Sequence, residues 1–213
     1  MQEKLELKGK NTDGVVSRYI NRRISMKISA FIIRHKIPIT PNMMSIISTI
    51  IGFTSLPLFI LGNPILAGII VQTSSILDGV DGELARYYGL TSKFGSFLDS
   101  ILDRLVNIIA LLGAILYLTL FHGLSTVLHI LVYVLAIAGD LMVSYLHARA
   151  LLDLGKHPVF IGKLPSIASR DVRLFILFIG CISGFIFESL LAIAILSFFY
   201  VISKFTEISL SRL

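Results

Sequence analysis

The chain has 213 residues, of which 55% are hydrophobic and only 15% charged, and its mean hydropathy is +0.85. That balance excludes a soluble domain of this length and points to an all-α integral membrane protein, since apolar stretches of about 20 residues recur along the whole sequence and leave no room for a separate soluble unit. The net charge of +6 is not the mark of a nucleic-acid partner, because no Lys/Arg stripe is interleaved with aromatics; anionic lipid and phosphate suit it better.

In chain order, MQEKLELKGKNTDG at 1–14 is charged but lacks the short apolar core and small-residue cleavage site of a signal peptide, so the N-terminus is expected to be retained. Residues 17–34, SRYINRRISMKISAFIIR, mix Arg18, Arg22, Arg23 and Lys27 with Ile20, Ile24, Ile28 and Phe31. This predicts an amphipathic helix near 14–36 lying in the headgroup layer. Arg18, Arg22 and Arg23 are expected at lipid headgroups, the alternative being that they guard a site. Six spans follow, near 42–62, 64–88, 94–121, 124–152, 170–187 and 189–211. Thr40 is placed to cap the first, with Pro41 where the helix does not yet need its N–H. Gly62-Asn63-Pro64 and Phe121-His122-Gly123 read as tight turns, and 153–169, DLGKHPVFIGKLPSIAS, is the one long polar connection. The chain thus divides into a cytoplasmic N-terminus with a juxtamembrane helix, 1–36, and a six-span domain, 37–213. The lone Cys181 excludes an intrachain disulfide and reads as core packing.

Orientation follows from the cations. With a cytoplasmic N-terminus the outer hairpins fall near 59–68, 119–127 and 183–190, and none of the 19 Lys and Arg residues lies in them. That is a strong positive-inside signal, and it puts the inner ends of the second and third spans and the 153–169 loop on the cytoplasmic side.

Against this apolar background stands LDGVDGELARYYGLTSKFGSFLDSILDRL at 77–105. Asp78 and Asp81 share a face of the second span, and Asp99 and Asp103 a face of the third. Asp78 lies ten residues before Tyr88, roughly 15 Å below the span's inner end. An unpaired carboxylate at that depth costs about 2.5–3.5 kcal/mol, and four together repel one another. An ion-pair network with Arg86 and Arg104 is the purely structural explanation, but two cations do not balance four carboxylates. Hard divalent cations do so better. An all-oxygen set without His or Cys favours Mg²⁺ or Mn²⁺ over zinc, and two such ions about 3.5–4 Å apart would suit displacement at phosphorus. Gly79 and Gly82, each costing about 1 kcal/mol against Ala inside a helix, mark places where a ligand or another helix can approach the backbone. Gly82, Ala85 and Gly95 would leave a smooth floor for something flat.

The stretch fits D-x2-D-G-x2-A-R-x8-G-x3-D-x3-D at every fixed position: Asp78, Asp81, Gly82, Ala85, Arg86, Gly95, Asp99 and Asp103. In this it resembles the CDP-alcohol phosphotransferases, membrane enzymes that move a phosphate-linked alcohol from a CDP donor to an acceptor hydroxyl and release CMP. The resemblance extends to a juxtamembrane helix, six spans and a Pro-Asn at the first span, here Pro41 and Asn42, and it implies a homodimer in the bilayer. It further implies that Asp78, Asp81, Asp99 and Asp103 hold two metal ions, Mg²⁺ or Mn²⁺. Asp103 would also be the catalytic base, Asn42, Gly82, Ala85 and Gly95 would meet the cytidine moiety, and Arg86 the diphosphate.

TDGVVSRYINRRIS at 12–25 and SRDVRLFILFIG at 169–180 are similar to the branch that joins inositol phosphate from CDP-inositol to inositol phosphate. In that branch the transferase often follows a cytidylyltransferase domain, so this chain would be a stand-alone form or a fragment. SYLHARALLDLG and SRDVRL resemble places where inositol-phosphate-accepting relatives hold the acceptor phosphate, which assigns Arg149 and Arg170 to a phosphorylated polyol acceptor. For Lys163 and Arg173, acceptor binding and ordinary inner-surface charge both remain open. Asp140, with Ser144 and His147 on roughly its face, either pairs with an arginine of the fifth span or lines the acceptor cavity. His147 reads as an interfacial polar residue rather than a metal ligand. A lipid donor, CDP-diacylglycerol or CDP-archaeol, is the alternative chemistry. A divalent-cation transporter is the remote alternative, disfavoured because no inverted repeat is visible and the acidic cluster lies toward the inner face.

Overall fold

A computed structural model describes residue 9 and residues 12–211. Most of the charged tail expected to be retained, and the last two residues of the chain, lie outside the described residues. Among those described, the backbone forms eight α-helices: α1 (Arg22–Arg34), α2 (Pro41–Phe53), α3 (Ser55–Ile60), α4 (Pro64–Tyr87), α5 (Lys93–His122), α6 (Val127–Leu154), α7 (Arg170–Ser183) and α8 (Ile186–Leu210). A π-helical stretch, Ser17–Asn21, leads into α1.

The helix starts are set by the residues beside them. Thr40 Oγ1 accepts the Met43 N–H at 3.3 Å, Asn63 Oδ1 that of Leu66 at 3.2 Å and Ser92 Oγ that of Gly95 at 2.9 Å, with Pro41 and Pro64 in the first turns. Gly123 and Gly155 end α5 and α6 at φ of 64° and 66°, the left-handed conformation that a Cβ disfavours. The first expected span is broken at Thr54. Pro57 has no N–H for the carbonyl of Phe53, while Thr54 Oγ1 and Ser55 Oγ donate back to the Ile51 and Gly52 carbonyls at 2.7 Å.

Among the described residues, five helical stretches are long and apolar enough to cross a bilayer, Pro41–Ile60 counting as one. The fifth expected span, 170–187, differs. Its helix has 14 residues, roughly 21 Å against a hydrocarbon core of about 30 Å, and the hairpin falls at Gly184 and Phe185. The reason is tertiary. Arg170, first in α7, lies 2.8 Å from Asp78, so α7 begins at the depth of that aspartate. The preceding segment reaches that depth as loop, fastened by α8: buried Lys204 donates to the Ile161 carbonyl at 2.7 Å, and Glu207 accepts the Lys163 and Leu164 N–H groups at 2.8 and 3.0 Å.

Small residues bring the helices together, as lipid-embedded packing requires. A Cβ on Gly113 of α5 would lie 2.5 Å from the Phe59 ring of α3, and one on Gly68 of α4 would lie 2.5 Å from the Cβ of Cys181. Cys181 is therefore core packing, 1% exposed. The juxtamembrane helix is docked by its polar side and by Ile32, which is buried in one cluster with Val80 and Leu84 of α4. Ile20, Ile24 and Phe31 face outward, while Asn21, Arg22, Ser25 and Ser29 are buried against α4. Arg22 is thus not the headgroup contact expected of it. It pairs with Asp13 and Glu83 at 2.9 and 2.8 Å, and those partners outweigh burial and raise its pKa. Arg18 and Arg23 are exposed.

Candidate active site

Helix periodicity sets the first layer of the site. The three-residue spacing on α4 and the four-residue spacing on α5 aim carboxylates at one another, and one oxygen from each of Asp78, Asp99 and Asp103 lies within 4.8 Å of the others. Such a convergent all-oxygen set fits a hard divalent cation. Asp81 stands beside this group, its carboxylate accepting from Ser45 Oγ of α2 and from the Gly82 N–H.

Arginines and an asparagine form the second layer. Arg170 Nη1 lies 2.8 Å from Asp78 and 3.0 Å from Asp103, and its Nε donates to Asn107 Oδ1 at 3.1 Å. Asn107 donates to both oxygens of Asp140 at 3.0 and 3.2 Å, and Asp140 pairs with Arg173 at 2.7 Å. Asp140 therefore does pair with an arginine of α7. Arg173 is 2% exposed and also donates to the Ala168 carbonyl, so it is not the surface charge that one reading allowed. Arg104 lies 3.7 Å from Asp103 and bonds Ser144 Oγ.

Two cavities meet at the cluster. One of about 250 Å³ lies between α2, α4 and α5, and Asn42, Gly82, Ala85, Arg86 and Gly95 all line it. The other, about 730 Å³, extends from Asp78 and Asp103 past Arg104 and Ser144 to His147 and His157. Asp81, Gly82, Ser96 and Asp99 line both. His147 is less peripheral than its sequence position suggested: Nε2 is 3.0 Å from the Tyr200 hydroxyl and its ring 4.6 Å from that of His157. Burial pushes the His157 imidazole below its ordinary value, keeping it neutral at pH 7.

Of the residues assigned to the acceptor, Arg170 and Arg173 line the larger cavity. Arg149 instead pairs with Asp153 one helical turn on, at 2.7 Å, and Lys163 is exposed in the loop; neither lines either cavity. Sequence reasoning missed Ser45, Asn107 and Glu83. Asn107 carried a signal, since it follows Asp103 by four residues on the same face of α5.

The geometry defines an all-helical, multi-pass membrane protein with a half-buried carboxylate cluster at the junction of two cavities. The chain belongs to the CDP-alcohol phosphatidyltransferase family, whose model matches residues 38–203. It is 40% identical over 168 residues to the bifunctional IPC transferase and DIPP synthase of Thermococcus kodakarensis, covering 77% of this chain and 36% of that protein. With the enzyme of the same description from Archaeoglobus fulgidus it shares 38% over 204 residues, covering 94% and 37%. The chain thus spans little more than a third of these two relatives. Archaetidylinositol phosphate synthase of Pyrococcus horikoshii is 38% identical over 169 residues, 79% of this chain and 83% of that one. Among solved structures, phosphatidylinositol phosphate synthase of Mycobacterium tuberculosis with CDP-DAG bound has a TM-score of 0.72 at 20% identity, covering 87% of this chain and 93% of that one. The same enzyme has been solved with manganese and citrate.

Proposed function

We propose that this chain transfers inositol phosphate from CDP-inositol to a hydroxyl of inositol 1-phosphate and releases CMP, with Asp78, Asp81, Asp99 and Asp103 holding two divalent cations, Mg²⁺ or Mn²⁺. The observation that carries this reading is the convergence of Asp78, Asp99 and Asp103 beside the wall shared by two cavities. The smaller cavity takes the donor: Asn42, Gly82, Ala85 and Gly95 receive the cytidine moiety and Arg86 the diphosphate. The larger takes the acceptor, whose phosphate meets Arg170. Asp140, through Asn107 and Arg173, holds that arginine in place. Arg149 and Lys163 act from outside the cavities, drawing an anionic acceptor to the inner side.

Bound divalent ions would neutralise the diphosphate and stabilise the leaving CMP. Asp103, on the acceptor side of the cluster, orients the attacking hydroxyl and takes its proton. The proposed orientation has the N-terminus and the site facing the cytoplasm, with α7 as the fifth of six spans, residues 1–36 as a juxtamembrane element on the 37–213 domain, and a homodimer in the bilayer. A lipid donor is the second reading, favoured by the similarity to archaetidylinositol phosphate synthase, 83% of whose length is matched.

Purified protein should release CMP from CDP-inositol and inositol 1-phosphate only with Mg²⁺ or Mn²⁺, and stop when the metal is chelated. Turnover confined to CDP-diacylglycerol or CDP-archaeol would overturn the choice of donor. Gly95→Val tests the donor cavity, because a Cβ there would lie 3.1 Å from Ser92 Oγ and 3.2 Å from Asn42 Oδ1. It should raise the KM for the CDP-alcohol about tenfold and leave that for the acceptor unchanged.

A further inference from the structure

We propose that Arg22 and Glu83 make the N-terminal segment part of the metal site: they are positioning residues that fix the turn of α4 bearing Asp78 and Asp81. The inference rests on the reading of the aspartates as divalent-cation ligands. Glu83 is 1% exposed and follows Asp81 by two residues. It accepts from Ser25 Oγ at 2.6 Å, Ser29 Oγ at 2.5 Å and Arg22 Nη1 at 2.8 Å. The same Nη1 donates to the carbonyl of Gly79, the residue after Asp78, at 2.9 Å. One guanidinium therefore grips α4 on both sides of Asp81. Gly79 permits the approach, since a Cβ there would stand 3.1 Å from Nη1 and 3.2 Å from Ser25 Oγ.

Three further hydrogen bonds extend this grip, and the last closes it into a ring. Asn21 donates to Ser75 Oγ at 3.2 Å and accepts from Gln72 at 2.8 Å, so α4 is held again one to two turns before Asp78. The Ser17 N–H donates to Asp171 at 2.5 Å, and the residue before Asp171 is Arg170, bonded to Asp78. The path from Asp78 through Arg170, Asp171, Ser17 and Arg22 returns to Gly79. Apolar contacts would dock α1 at least as stably as a buried ion pair. Beside the apolar cluster of Ile32, Val80 and Leu84, directional bonds at residues 72, 75, 79 and 83 fix the rotation of α4 about its axis, which decides where Asp78 and Asp81 point.

The test is Mn²⁺ binding to the detergent-purified chain without substrates, read from the electron paramagnetic resonance signal of the free ion, with thermal melting alongside. Glu83→Gln should weaken binding about tenfold and Ser29→Ala about threefold, whereas Arg23→Gln, on the exposed side of α1, should stay within about twofold of the parent. At saturating metal, Glu83→Gln should recover most of its CMP release. Should Glu83→Gln fail to fold, Ser29→Ala decides, as it removes one hydrogen bond and no charge. Parent-like Mn²⁺ affinity in the folded variants would overturn the proposal. An unmodified chain that binds no Mn²⁺ would remove the metal reading, and this inference with it.

Discussion

Asp103→Asn should remove turnover, a loss on the order of 10³-fold or more, while divalent metal and CDP-alcohol still bind measurably. Asparagine keeps the size of the side chain and one oxygen toward Arg170, which lies 3.0 Å from Asp103. What it loses is the capacity to take a proton from the acceptor hydroxyl. Mn²⁺ binding and calorimetry with CDP-inositol separate this loss from a collapsed site, and CMP release measures it. Retained turnover would take Asp103 out of the base role, and loss of metal binding alone would make it a ligand only.

Arg170→Gln should move two quantities in opposite directions. The guanidinium sits at 2.8 and 3.0 Å from Asp78 and Asp103, on carboxylates that the proposed divalent ions would also need. Two unit charges 4 Å apart interact by about 4 kcal/mol at an effective dielectric of 20, so even a partly screened competitor matters. Removing it should tighten Mn²⁺ binding about tenfold in the absence of substrates. Turnover with inositol 1-phosphate should fall about 100-fold or more, through the acceptor KM, with the donor KM little changed, because a buried phosphate loses its charged donor. Arg170→Lys should restore part of the acceptor affinity. If Mn²⁺ affinity is unchanged in Arg170→Gln, the arginine and the ion do not share these oxygens.

What could be read from the sequence was whatever helical periodicity or local spacing fixes. The facing of Asp78 toward Asp99 and Asp103, the cap at Thr40 and the clustering of Gly82, Ala85 and Gly95 are all of this kind. Arg22 escaped because two physical situations share one sequence signature. A cation beside a membrane-surface helix reads as a headgroup contact, and only the buried Glu83 on another helix says otherwise. The serines at 25 and 29, four apart on the face of Arg22, were the available sign of a polar partner. The length of α7 was hidden for a related reason. Its apolar run gives no depth, and depth came from Arg170 reaching Asp78, 92 positions away in the chain. Arg149 shows the reverse, since its capture by Asp153 is a local four-residue pairing that competes with a more distant role.

The two cavities share the wall made by Asp81, Gly82, Ser96 and Asp99, so a donor in one and an acceptor in the other, as proposed, would approach phosphorus from separate sides and be resident together. On the proposed reaction, initial-velocity plots against one substrate at fixed levels of the other should then intersect rather than run parallel. On that proposal phosphorus would change hands once, in line and without resting on a side chain. A donor made chiral at that phosphorus by sulfur and oxygen isotopes should yield product of inverted configuration.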